Sequence, residues 1–312
     1  MGRISHLLPG LVAVTLVLSA CGSDTGEPTT TSEDVTSTTS SPMTNTTTTA
    51  FTTSTEAATT TSVAPGETGL VVYFLLEELE EETGGPFLVP VYRDMAPGSD
   101  PVTAALGALV EGPTTGEADG IPSISSALPE GTTVLGVDVD AGVANVDLSD
   151  EFDDGGGSFS MIARLGQVVF TATRFDDVDR VQFLIEGAPV TVFSSEGIEL
   201  SGPQDRSEFY DLLPPIFVDS PAWGEPVTSP VAVKGLSNVF EAVSQVMLTD
   251  DDGLKLFEDN VMATCGTGCW GDWEVEIPYT IDREQFGSLI VWENSARDGS
   301  QINVREYPIQ LR

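Results

Sequence analysis

The side chains that could do chemistry in this chain of 312 residues are almost all carboxylates. It has 49 Asp and Glu residues against 12 Lys and Arg residues, three cysteines and one histidine. The histidine, His6, lies in an N-terminal segment with the features of a cleaved signal, and without it no imidazole remains for Ser-His-Asp or Cys-His catalysis or for the common zinc sites. Neither lysine, Lys234 or Lys255, follows a serine at the spacing of a Ser-Lys pair. We therefore predict that the protein is not an enzyme and has no catalytic residue, metal site or cofactor.

Paired carboxylates are the remaining route to catalysis or metal binding. Two of them can hydrolyse a glycosidic bond, and the runs 176–179 and 250–253 offer the oxygen ligands that calcium prefers. With so many acids any one pair is weak evidence for hydrolysis, and neither run has the spacing of a 12-residue EF-hand loop. Asp and Gly are ordinary turn residues, so both runs are interpreted as polar turns.

The formal charge of −37 limits the partners of this protein. No Lys or Arg occurs between Arg3 and Arg93. Nucleic acid and anionic lipid headgroups are poor partners, because their binding depends on basic side chains. The acidity is interpreted as a contribution to solubility, with divalent cation binding as the alternative.

Residues 1–20 have the pattern of a secretory signal peptide. Arg3 precedes an apolar run from Leu7 to Leu18, and small residues follow it. The run is too short to be retained as a membrane span, which needs about 20 apolar residues. With Cys21 directly after it, the segment resembles the lipobox of bacterial lipoproteins. That resemblance implies that Cys21 becomes the lipidated first residue, so that the membrane is a partner and the protein lies on its extracytoplasmic face.

Residues 21–68 are mostly Thr and Ser, with scattered Pro, Asp and Glu. Such a composition buries too little apolar surface to offset the entropy of ordering, so the segment is predicted to be a disordered tether. As a loose coil its ends would lie roughly 40 Å apart on average. The composition also permits O-glycosylation.

Lipidation of Cys21 would leave Cys265 and Cys269 as a pair. In an oxidising compartment they are predicted to form a disulfide, and the glycines at 266 and 268 let the chain turn back between them. A redox pair or two metal ligands are the alternatives. The chain has no second ligand pair, and redox pairs have the spacing C-x-x-C.

Residues 69–200 are predicted to form an α+β domain in the order β-β-α-β-β-α-β-β, with its helices on one face of the sheet. The first helix is expected to begin at Ser99 or Asp100 and to end at Gly112, and the second to begin at Ser158 or Ser160. The predicted strands are 70–75, 88–92, 132–137, 143–148, 181–185 and 190–193. Residues 140–142 are predicted to join the third and fourth strands in a hairpin, and residues 187–189 to join the last two. Pro90 favours an edge position for the second strand.

This region resembles the GerMN domain of sporulation and spore-germination lipoproteins. The resemblance is carried by residues 89–93, 105–114, 128–132, 146–152 and 163–171, which include the segment Glu111-Gly112-Pro113-Thr114. It implies a ring-building or interaction module of envelope complexes, and it supplies no catalytic residues.

Residues 201–215 are predicted to be a linker with a short helix, in which Asp205 and Glu208 have the spacing of a capping box. From 216 to 312 short strands recur between turn residues, at 216–218, 231–235, 244–248, 273–278, 288–293 and 303–308, as in a β-sandwich. This region resembles Gmad2, an immunoglobulin-like domain, at residues 228–231, 235–242, 265–273 and 293–300. The fold class expected for the whole chain is an α+β GerMN-like domain followed by an all-β immunoglobulin-like sandwich.

Four residues of the second domain are candidate binding residues: Glu241, Trp270, Arg297 and Asp298. Glu241, Arg297 and Asp298 lie on two motif segments that are expected to meet, although a structural carboxylate–arginine pair is the alternative. Trp270 is predicted to be exposed and able to stack on a sugar or peptide, whereas Trp273 alternates into the core. The function predicted is a lipid-anchored, non-catalytic scaffold or interaction module with protein partners or self-association. Binding of cell-wall polymer or peptide by the second domain is the alternative.

Overall fold

We analysed a computed structural model, which describes residues 69–77, 84–96, 98–194 and 197–312. The predicted signal peptide, Cys21 and the predicted tether lie outside these residues. All the described residues belong to one compact unit. Within them, no helix is long and apolar enough to cross a membrane.

The first domain has three helices: α1 (Pro101–Glu111), α2 (Thr115–Ala118) and α3 (Ser158–Ala172). At the start of α1 the Asp100 side chain accepts a hydrogen bond from Thr103 N, and Gly112 ends the helix with φ 82°. Both ends of α1 are as predicted. The predicted serine cap of α3 is wrong, because Gly157 is the capping residue and Ser160 Oγ instead accepts a hydrogen bond from Arg164.

Two larger sheets and one two-stranded sheet complete the described part of this domain. The first has the antiparallel order β2 (Phe87–Asp94), β1 (Gly69–Leu76), β3 (Ile124–Ser125), so that Pro90 lies on an edge strand as predicted. The second has the order β4 (Val134–Asp140), β5 (Val143–Leu148), β6 (Arg180–Ile185), β7 (Ala188–Pro189). Strands β5 and β6 are parallel and are connected through α3, while the other pairs are antiparallel.

Of the two hairpins of the second sheet, one forms as predicted and the other differs from the prediction in part. The turn between β4 and β5 forms as predicted, with Ala141 and Gly142 at φ 50° and 82°, the left-handed values of a tight hairpin turn. The predicted strand at 190–193 is only partly correct. The chain turns back two residues earlier, at Glu186 and Gly187, and β8 (Val192–Phe193) pairs with β9 (Ile198–Glu199) instead.

Helix α3 packs against both sheets, not against one face of a single sheet. It contacts β1 and β6, and it is buried from Ala163 to Ala172. The edge of β1 that faces away from β2 is hydrogen-bonded to this helix, because Tyr73 N donates to Thr171 Oγ1 and Gln167 Nε2 donates to Tyr73 O. Ile162, which was predicted to be in the core, is 38% exposed.

The linker forms a 3₁₀ segment, Arg206–Leu212, with the predicted capping box of Asp205 and Glu208 at its start. It packs on α3 at Gly166, where a Cβ atom would clash with Leu212. The linker is therefore part of the core of the first domain, and the second domain begins directly after it.

The second domain is a β-sandwich of two sheets. One sheet has the order β10-β12-β15 and the other the order β11-β17-β16-β13-β14. The strands are β10 (Ile216–Ser220), β11 (Pro226–Val227), β12 (Val231–Ser237), β13 (Val243–Thr249), β14 (Lys255–Met262), β15 (Gly271–Ile277), β16 (Gln285–Asn294) and β17 (Gln301–Leu311). The predicted strands are all present, and β11 and β14 were not predicted.

Candidate functional site

A half-buried ionic cluster joins the two domains. Arg206 Nη1 donates to Asp219 of β10 at 3.2 and 3.1 Å, and Tyr73 OH of β1 donates to the same carboxylate. Arg174 Nη1 lies 3.5 Å from Asp219 on the other side. The Arg206 guanidinium carbon also lies 5.2 Å from the centre of the Tyr73 ring and 4.7 Å from that of Phe170. Because Tyr73 and Asp219 belong to different domains, the cluster fixes one domain to the other.

Burial and charge set the protonation of this cluster. Burial of Asp219 favours its neutral form, but the charges of Arg206 and Arg174 outweigh it and hold the pKa of Asp219 below its ordinary value. Burial raises the pKa of Tyr73. At neutral pH the phenol is therefore protonated and donates, and the carboxylate is ionised and accepts.

All the donors of Arg206 are used within the protein. A guanidinium has five N–H groups, and those of Arg206 make five hydrogen bonds, to Asp219, Tyr73 OH, Phe170 O and Thr173 Oγ1. No donor remains for a ligand, so this arginine is a structural residue.

Backbone and aromatic contacts strengthen the junction. Trp223 N donates to Pro90 O at 2.8 Å, and Tyr92 N donates to Trp223 O at 3.0 Å, so that Trp223 pairs with the outer edge of β2. The ring of Phe217, on β10, lies 6.5 Å from the ring of Tyr73 in the first domain. The first domain thus covers the outer face of β10.

The rest of this sheet face forms an open groove of about 620 Å³. Its floor consists of outward-facing residues of β12 and β15, among them Leu236 and an ion pair of Lys234 and Glu274 at 3.2 Å. Arg206 and Tyr210 of the linker line one side, and Met262, which is 71% exposed, lines another. The groove is thus partly apolar, and apart from Arg206 its charged residues lie on the sheet.

The cysteine loop lies next to this groove. Cys265 and Cys269 lie at disulfide distance, with Cα atoms 5.9 Å apart. The loop packs on the turn that carries Glu241, because Glu241 N donates to Thr267 Oγ1 at 3.2 Å and Gly268 N donates to Asn238 Oδ1 at 2.8 Å. The structure therefore brings one candidate residue, Glu241, to the cysteine loop.

Trp270 is half-buried, and it is more exposed than Trp273, as predicted. Its ring centre lies 5.6 Å from that of Tyr210, which lines the groove. Trp273 is buried as predicted, at 4% exposure, and its ring occupies the space beside Gly235 where a side chain would stand. The pairing with Tyr210 places Trp270 against the linker, next to the groove.

Arg297 and Asp298 lie apart from this groove, in the exposed turn between β16 and β17. They pair with each other at 3.0 Å. Hydrogen bonds from Ser300, and then from Arg297, lower the pKa of Asp298 to about 2. In the described part of the chain, no hydrogen bond or ion pair joins either residue to Glu241.

Glu293 makes the connection that was predicted for Glu241. Its carboxylate accepts hydrogen bonds from Phe240 N at 3.4 Å and from Asn303 Nδ2 at 2.5 Å, and it thereby joins the turn to the β16–β17 hairpin. Sequence reasoning missed this role, although Glu293 begins one of the motif segments. It also missed the cluster of Tyr73, Arg206 and Asp219, which are far apart in the sequence and have no shared motif. Among residues 69–77, 84–96, 98–194 and 197–312, no three His, Cys, Asp or Glu side chains come together as metal ligands.

Two family models match the chain. Residues 71–191 match Germane, described as sporulation and spore germination. Residues 215–300 match Gmad2, described as the immunoglobulin-like domain of bacterial spore germination. The chain contains a GerMN domain followed by a Gmad2 domain. Neither description names an enzymatic activity.

Solved structures of GerMN domains are also similar to this chain. The first GerMN domain of the sporulation protein GerM from Bacillus subtilis is 23% identical, with a TM-score of 0.38, over 45% of this chain and 98% of that one. The tandem GerMN domains of the same protein are 18% identical, with a TM-score of 0.39, over 70% and 63% of the two chains. A candidate lipoprotein from Clostridium perfringens is 21% identical, with a TM-score of 0.31, over 49% and 98%. No curated protein matches the chain.

Proposed function

We propose that this GerMN–Gmad2 protein is a lipid-anchored, extracytoplasmic envelope protein that acts as a non-catalytic scaffold. Residues 1–20 direct export, Cys21 carries the lipid, and the 21–68 segment is the tether. The two domains hold other envelope proteins, or further copies of this chain, at a distance from the membrane.

The junction is the observation that carries this proposal. Arg206 and Asp219 are fully engaged inside the protein, and Trp223 pairs with β2, so the two domains present their surfaces as one body. A fixed arrangement of two domains suits a scaffold, whose partners must be held in a defined geometry. The most prominent charged cluster of the structure is thereby assigned to architecture and not to catalysis.

Anchoring is tested by fractionating cells that express Cys21→Ser. The variant should appear in the medium, whereas the matched variant Ser23→Ala should stay with the membrane. Retention of Cys21→Ser in the membrane fraction contradicts the lipid anchor.

Scaffolding is tested on the released full chain with Cys21→Ser, by light scattering with and without calcium. Crosslinking in intact cells, with the wild-type protein, is the parallel test. A discrete oligomer, or a defined crosslinked complex with an envelope protein, supports the proposal. A monomer in solution together with no crosslinked species contradicts it.

Binding of cell-wall polymer or peptide by the second domain is the second candidate, and the groove beside Trp270 favours it. The test is sedimentation of the Cys21→Ser chain with purified cell wall. Trp270→Ala should reduce the bound fraction, whereas Phe286→Ala, which removes an exposed aromatic ring elsewhere, should not. Equal binding of the two variants contradicts this candidate.

A further inference from the structure

One sheet edge of the second domain is open. Strand β15 pairs with β12 along its whole length on one side, and on its other side Thr264, just after β14, exchanges hydrogen bonds with Asp272. Backbone groups of alternate residues face the same edge, so the N–H and C=O groups of Glu274 and Glu276 point to this open side. Neither residue has a backbone partner there in the part of the chain that the structure describes. Such an edge is a template for a further strand.

Strand β14, the long edge strand of the other sheet, is better protected. Its Asn260 N donates to the side chain of Asp259 at 2.8 Å, and Lys255 pairs with Glu258. Local side chains thus occupy part of that edge. Strand β15 is therefore the edge at which an incoming strand would find unpaired backbone groups.

The acidic side chains beside this edge indicate that a segment bound there should carry positive charge. Asp272, Glu274 and Glu276 alternate along β15, and all three are exposed on the face that forms the groove. Only Glu274 faces a cation across the sheet, Lys234, because Asp272 lies opposite Leu236 and Glu276 lies opposite Ala232. Two negative charges are left without a counter-ion on the neighbouring strand.

Two occupants from the protein itself are disfavoured by charge. A second copy pairing through its own β15 would place acids opposite acids, which is destabilising. The predicted tether offers no cation, since no Lys or Arg occurs between Arg3 and Arg93. A partner segment with basic residues is the complement that remains.

We propose that the open edge of β15, with the groove beside it, receives an extended segment of a partner protein that carries Lys or Arg at alternate positions. The backbone of the segment pairs with Glu274 and Glu276, and its cations face the unbalanced acids. Its remaining side chains alternate to the opposite face of the sheet, away from the groove. This inference deepens the proposed scaffold function and rests on it, because it names the surface and the class of partner.

The test uses the full chain with Cys21→Ser, labelled with nitrogen-15, and two synthetic peptides. One peptide has the sequence Thr-Val-Lys-Val-Lys-Val-Thr, and the other has Glu in place of both Lys residues. The Lys peptide should bind and should shift the amide signals of Glu274 and Glu276 and protect them from hydrogen exchange. The Glu peptide should leave these signals unchanged.

Two variants separate charge from backbone pairing. Glu276→Lys should weaken the Lys peptide about tenfold and improve binding of the Glu peptide, whereas the control Glu258→Lys on β14 should do neither. Glu276→Pro removes an N–H that faces the open edge and should abolish binding, while pairing with β12 is kept. Circular dichroism confirms that each variant is folded.

Equal binding of the two peptides, unchanged amide signals on β15, or equal effects of Glu276→Lys and Glu258→Lys would overturn the inference. If the peptides do not bind but crosslinked complexes persist in Glu276→Lys cells, this surface is wrong and the scaffold function stands. If the peptide binds but no assembly is found in cells, the scaffold function fails and the strand-binding edge remains.

Discussion

Removing the guanidinium of Arg206 should uncouple the two domains. Arg206→Ala leaves the Asp219 carboxylate at the junction with only Arg174, at 3.5 Å, as a charged partner. The variant also deletes the hydrogen bonds to Phe170 O and Thr173 Oγ1. Both domains lose stability, because the cluster includes side chains of each.

The size of the expected loss of stability depends on how far the Arg206–Asp219 ion pair is buried. Breaking a buried ion pair by removing one partner costs roughly 3–5 kcal/mol. The Arg206 and Asp219 side chains each keep 20% of their surface exposed, and Arg174 compensates in part, so the lower end applies. Loss of the two ring contacts adds about 1 kcal/mol. We expect the free energy of unfolding to fall by about 3–4 kcal/mol.

Urea unfolding followed by two probes measures this loss and shows where it acts. All four tryptophans lie in the second domain, so their fluorescence reports that domain, while the helical circular dichroism reports α1 and α3 of the first. The two transitions should coincide in the wild-type protein and separate in Arg206→Ala. The control Arg180→Ala removes an exposed pair at 3.9 Å from Asp205 and should cost less than about 0.5 kcal/mol. Coincident transitions with a loss below about 1 kcal/mol in Arg206→Ala would refute the assignment of this cluster as the link between domains.

Three further predictions concern single positions. Burial raises the pKa of Glu225. Its contribution to stability is therefore complete below the unfolded pKa of about 4.3 and is lost as the pH rises through the higher folded value. In urea unfolding, Glu225→Gln should be more stable than wild type at pH 7 and equal to it at pH 4. Replacing Cys265 and Cys269 by Ala should cost about 2 kcal/mol for so short a loop, and an unchanged unfolding midpoint under oxidising conditions would contradict the disulfide. Gly166→Val should lower the melting temperature and cost about 1–3 kcal/mol, because the valine side chain would clash with Leu212. The control Gly107→Val, at a helical glycine with open space around it, should cost less than about 1 kcal/mol.

Local signals in the sequence were sufficient for most of the elements. Asp100 and Pro101 mark the start of α1, and Asp140-Ala141-Gly142 marks the β4–β5 hairpin, because capping and turn chemistry act within a few residues. Strand β14 was missed because both of its faces carry polar residues, such as Glu258 on one face and Asp259 on the other, so that no alternation shows. The predicted cap of α3 was wrong for a local reason, since Ser160 lies inside the helix and its hydroxyl accepts a hydrogen bond from Arg164 one turn later.

The site was less predictable than the fold. Tyr73, Arg206 and Asp219 are separated by up to 146 residues, and each is ordinary in its own segment, so their meeting depends on how the domains dock. The pairing of Trp270 with Tyr210 likewise depends on the position of the linker. The two motif segments that were predicted to meet do so through Glu293 and Phe240, and not through Glu241, Arg297 and Asp298.

The pairing of Trp223 with β2 limits how GerMN domains of this chain can assemble by adding strands side by side. A neighbour could not use the middle of that edge, since Pro90 O and Tyr92 N are already engaged. The opposite side of the same sheet ends on α3 at Tyr73. In this sheet the second domain therefore occupies part of an edge that an isolated GerMN domain would leave available, so strand addition at that edge would first require Trp223 to leave it.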